Sequence, residues 1–79
     1  MPRRMLVAEG DRWEKARKKY AGIVRELRAT EPAVGSARWF GLQTALRGVG
    51  FARGRRDWCR QVAHSLAESE QVTKSSPRA

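Results

Sequence analysis

The sequence predicts an all-α domain, a small three-helix bundle, on three observations. Apolar residues recur at helical spacing in three separate stretches, connectors holding Pro or Gly divide them, and each stretch carries one tryptophan on its apolar side: Trp13, Trp39 and Trp58. Amphipathic helices with short connections hide such stripes by packing them together. The predicted helices cover about residues 11–29, 37–47 and 54–69, between a flexible N-terminal arm (1–10) and a disordered tail (70–79).

The arm is read as irregular up to Gly10. Asp11-Arg12-Trp13-Glu14 has the spacing of a capping box, an Asp cap with Glu three residues on. From there Trp13, Ala16, Tyr20, Ile23, Val24 and Leu27 fall within a stripe about 100° wide, with Arg12, Lys15, Lys18, Lys19 and Arg25 opposite. Pro32 sets the end of this helix, because the residue before a proline is pushed away from the α region. Ser36 is the expected cap of the second helix. Trp39, Leu42, Ala45, Leu46 and Val49 give that helix its apolar side, while Phe40, Gln43 and Arg47 share another; Gly48 and Gly50 read as stop signals. The third helix presents Trp58, Cys59, Val62, Ala63 and Leu66 inward and the line Arg53, Arg56, Arg60 and His64 outward. After Glu70 periodicity ceases and polar residues dominate, the pattern of a frayed tail.

Seventy-nine residues make at most one domain with a thin core. One cysteine, Cys59, excludes an intrachain disulfide and fits a reducing cytoplasm. No apolar run reaches the roughly 18–20 residues of a membrane span, and the apolar part of Met1–Ala8 is too short for a signal-peptide core. The chain is therefore expected to be soluble, unprocessed and cytoplasmic.

Charge is the strongest functional signal. Seventeen Lys and Arg oppose eight acidic residues, for a net charge of +9 and a pI near 11.3. Residues 11–29 carry +4 and residues 36–62 carry +5, whereas residues 63–79 balance to zero. The excess thus lies on the predicted folded part, as a surface shaped to receive a polyanion requires. Arg47, Arg53, Arg55, Arg56 and Arg60 form one cluster, and the guanidinium fork matches phosphate oxygens bidentately. Arg53, Arg56 and Arg60 span about 10 Å of helix, enough to meet more than one phosphate. Lys15, Lys18 and Lys19 supply a second group on the first helix, and the free N–H groups at the start of the third helix would add to the attraction. Phe40, off its helix's main stripe, is the candidate exposed aromatic contact. The three Trp are better placed for a core than for stacking on bases.

Leu46-Arg47-Gly48-Val49-Gly50, with Gly54 four residues on, resembles the turn of the helix-hairpin-helix DNA-binding motif. The likeness covers about a dozen residues, and Asp57 stands where that motif has an apolar one. It implies backbone N–H groups at the glycines touching a DNA phosphate, without base specificity. A helix-turn-helix also fits loosely, with the third helix in the major groove.

Catalytic and metal chemistry lack a constellation. Cys59 and His64 lie about 140° apart on a helix, and no phosphate loop, zinc spacing or paired carboxylates occur. The expectation is a binding protein and not an enzyme, without cofactor, metal, small-molecule substrate or membrane. Its leading partner is nucleic acid, DNA or RNA, held through phosphate contacts. The alternative is a regulator that docks on an acidic, nucleic-acid-like protein surface, anchored by Phe40 and the Arg47 side.

Overall fold

The computed structural model describes residues 2–75, with side chains through Gln71. It contains two helices, α1 (Arg3–Ala29) and α2 (Ala37–Ser75), folded back on each other as an antiparallel hairpin. The three-helix bundle is therefore incorrect. The particle measures 68 × 18 × 16 Å, and its radius of gyration of 18.8 Å far exceeds the value of about 12 Å for a compact domain of this length. Residues 3–10, read as an arm, are the first turns of α1; residues 70–75 continue α2. Met1 and residues 76–79 of the expected tail lie outside the described residues.

One repeat explains both helices. On α1 the residues facing the partner are Leu6, Gly10, Trp13, Arg17, Tyr20, Val24 and Leu27; on α2 they are Leu42, Ala45, Val49, Ala52, Arg56, Cys59, Ala63 and Leu66. The steps alternate three and four without interruption, which is the seam of a coiled coil. The predicted second and third helices are thus one. Val49, Ala52 and Arg56 carry the stripe in phase through Gly48, Gly50 and Gly54, so these glycines end nothing.

Packing follows the same register. Leu6 is 2% exposed and forms one core cluster with Cys59 and Ala63, while Val24, Leu42 and Ala45 form another near the loop. Gly10, expected to end the arm, is buried: a Cβ there would lie 3.5 Å from that of Cys59. Four of the eight seam residues of α2 are small, Ala45, Ala52, Cys59 and Ala63, and they are interspersed with Leu42, Val49, Arg56 and Leu66, so the helices approach closely at the small positions.

The ends have local causes. Asp11 is inside α1, whose N-cap is Pro2 with no side-chain cap; the Pro2 carbonyl instead accepts from the Met5 and Leu6 amides at 3.0 and 3.3 Å. At the other end the Thr30 hydroxyl and amide both donate to the Leu27 carbonyl, and Glu31 takes a left-handed φ of 47° ahead of Pro32. Ser36 caps α2 as expected, its Oγ accepting from the Trp39 amide at 3.1 Å. Arg3 and Glu70 close the open end of the hairpin at 3.1 Å.

Candidate polyanion-binding face

A two-helix layer has two broad faces, and this sequence makes them chemically unlike. The first face is marked by Ala21, Arg25 and Arg28 of α1 with Leu46 and Val49 of α2, which together with Val24 line an open groove of about 350 Å³. Seven-residue steps keep a side chain on one face of a coiled coil. From Leu46 they lead to Arg53 and Arg60, and from Arg25 back to Lys18, Asp11 and Arg4. Arg60 leans across toward α1, its Cγ only 3.6 Å from where a Gly10 Cβ would be. Lys18, Arg25, Arg28, Arg53 and Arg60 are exposed, and none of the five is in an ion pair among the described residues.

The second face is aromatic. Trp13 meets Phe51 edge-on at 5.4 Å, and the Arg55 guanidinium carbon lies 5.7 Å from the ring centres of both Trp13 and Trp58. Tyr20 covers Gly48, and Leu27 lies over Gly41. Trp58, expected in the core, is 50% exposed. The seam takes Cys59 instead, because a ring of that size does not fit between helices spaced by Ala and Gly.

The expected site residues are thus dispersed around the hairpin. Arg53 and Arg60 share the basic face with Lys18; Arg55 belongs to the aromatic one. Lys19 is placed by its register on the aromatic side, and Lys15, Phe40 and Arg47 lie on the outer edges. Phe40 is 58% exposed, as expected, and its ring meets Trp39 edge-on at 5.0 Å. Arg56 does not point outward with its neighbours. Its side chain is 17% exposed, donating to Glu14 at 2.7 Å and to Asp57 at 2.9 Å. Replacing it with Ala would therefore not leave the fold untouched, contrary to the expectation for an outward line. No helix begins near Arg53, so the free N–H groups expected there are absent. Both the helix-hairpin-helix turn and the helix-turn-helix fail with it, because residues 48–54 are continuous helix.

Glu14 organises the polar centre of the seam. It accepts from Arg17 at 2.6 and 3.0 Å and from Arg56 at 2.7 Å. These bonds, Arg17 first and then Arg56, hold its carboxyl down at about 2, and Glu14 in turn raises Arg17. Arg56 is raised by Asp57 and then by Glu14. Glu14 and Asp57 are tied up in this way, and Asp11 remains as the exposed acid in the row between Arg4 and Lys18.

Arg25 and Arg28 were not singled out from the sequence as binding residues. The signal was their three-residue spacing on one edge of the α1 stripe, legible once Leu46, Arg53 and Arg60 are seen as one seven-residue row. Among the described residues no group of His, Cys, Asp and Glu is arranged to hold a metal, and no helix is long and apolar enough to cross a membrane. Cys59 is buried, and His64 pairs on the surface with Glu68 at 3.0 Å.

No known protein family matches the chain, and neither does any curated protein or solved structure.

Proposed function

We propose that this protein binds nucleic acid along its basic face, through the phosphate backbone and without catalysis. The observation that carries the reading is the row of Lys18, Arg25, Arg28, Arg53 and Arg60, five cations on one face with no acidic partner among the described residues. Each phosphate they neutralise releases condensed counterions, so binding is driven by ionic release and is tolerant of sequence.

The test is a titration of labelled duplex across a series of salt concentrations. With about five phosphates neutralised, log K should fall against log salt with a slope near −4.5. Substituting Arg25, Arg28, Arg53 and Arg60 by Ala should flatten that slope by about 1 per residue at unchanged helicity. Arg47→Ala, on the outer edge, should alter it much less. Absence of binding at low salt removes the proposal.

A second reading rests on the groove itself. Its floor is Val24, Leu46 and Val49 and its rim Arg25 and Arg28, a site suited to an apolar side chain flanked by carboxylates. An acidic protein surface would meet both features, with fast and salt-sensitive association. One stoichiometric protein partner, alongside feeble nucleic-acid binding, would favour it.

A further inference from the structure

The aromatic face is out of keeping with a finished monomer. Phe51 is 61% exposed and Trp58 half exposed, Met5 is also exposed, and Val62 and Trp13 are only partly covered. Together with Arg55 they run along the side of the hairpin opposite the unpaired cations. The whole chain exposes 6310 Å², whereas a compact chain of 9.0 kDa exposes about 4,900 Å². That surplus comes with the elongated shape and is spread over the whole hairpin; the aromatic face takes its share through Phe51, Trp58 and Met5, each at least half exposed. Composition agrees, since Trp, Phe, Met and Arg are the residues enriched at interface centres.

Charge selects the partner. The aromatic face mixes Glu9, Arg12, Lys19, Glu26 and Arg55, with Arg12 already paired to Glu9 at 3.0 Å, so two such faces meet with little repulsion. Bases are poorer occupants, because this face sets two acids against three cations, Arg12 already paired, and the unpaired row that would hold the attached phosphates is on the opposite side. We infer that the occupant is a second copy of this chain. Two hairpin layers pack aromatic face to aromatic face as a four-helix bundle, leaving a basic face outward on each side. The inference does not depend on what the basic face binds.

Sedimentation equilibrium from about 1 to 200 µM protein, in roughly 0.3 M salt to screen the net charge, tests it directly. The expected result is a concentration-dependent rise from 9.0 kDa to twice that mass. Substituting both Phe51→Gln and Trp58→Gln should weaken association about 30-fold or more. Should that variant unfold, Ser65→Cys, on the aromatic side one helical repeat from Trp58, should form an intermolecular disulfide, and Gln61→Cys, on the outer edge, should not. A wild type that stays monomeric throughout overturns the inference. So does a dimer that the folded double variant leaves intact, or one that cross-links equally at residues 61 and 65. Loss of single-strand binding by a monomeric, folded Trp58→Gln would assign the face to bases instead. Duplex binding by the basic face is scored separately, so either idea can fail alone.

Discussion

Glu14 lies at the middle of the hairpin and bonds to an arginine on its own helix and to one 42 residues along the chain. Its carboxyl is held at about 2, down from 4.5, chiefly by Arg17 and then by Arg56. A carboxylate whose folded value is depressed contributes stability that is complete above its unfolded value and is lost as pH falls through its folded one. The clamp should therefore hold at neutral pH and weaken between about pH 4.5 and pH 2. In Glu14→Gln the melting temperature should be lower than wild type at pH 7, and the two should converge as pH approaches 2. Melts followed by circular dichroism across that range check this; a constant gap down to pH 2 would show that Glu14 acts by packing and not by charge. Leu6, 2% exposed, has no such dependence: Leu6→Ala should cost about 2–5 kcal/mol at any pH where the chain folds.

At the scale of the helix, glycine is what made α2 hard to foresee. Gly48, Gly50 and Gly54 each cost a helix about 1 kcal/mol relative to Ala, and three within seven residues read as a turn. Arg56, a charged residue on the seam, concealed the apolar phase that links Val49 and Ala52 to Cys59. Packing overrides both, since every seam residue of α2 keeps step with α1. The start of α1 misled for a related reason. Asp11 and Glu14 have capping-box spacing, yet the Glu14 carboxylate is directed at Arg17 and Arg56. What was legible was local: the Ser36 cap, the stop at Pro32, burial of Cys59 and exposure of Phe40. The continuous helix makes a prediction that a hinge would reverse. Nothing lies within 4 Å of a Cβ built at Gly50 or Gly54, so Gly50→Ala and Gly54→Ala should each stabilise by about 1 kcal/mol, raising the melting temperature by roughly 4–8 °C. At Gly48 the added carbon would lie 3.0 Å from the Tyr20 ring, which must swing outward, so the gain there should be smaller or lost. Destabilisation by the first two substitutions would mean that the chain turns at its glycines.

For the molecule as a whole, elongation determines how the basic face can be used. A globular bundle with a net charge of +9 would offer a patch; a hairpin 68 Å long offers a track. The sequence placed Arg53 and Arg60 together but could not show Arg25 and Arg28 beside them, because that juxtaposition depends on how α1 and α2 align and on nothing local. From the level of Gly10, which Arg60 overlies, to Arg28, the five cations of this face extend about 27 Å along α1 at 1.5 Å per residue. One turn of duplex DNA, about 34–36 Å, covers that length. Cations spread over that length cannot all find phosphates on a shorter duplex, so the number of counterions released should grow with duplex length and then saturate. Measured on duplexes of roughly 5, 10 and 20 base pairs, the salt slope should steepen between the first two and change little between the second and third. Affinity should then rise only as the number of overlapping positions increases. A slope already at its full value on the shortest duplex would mean that a few neighbouring arginines do the binding and that the track has no bearing on it.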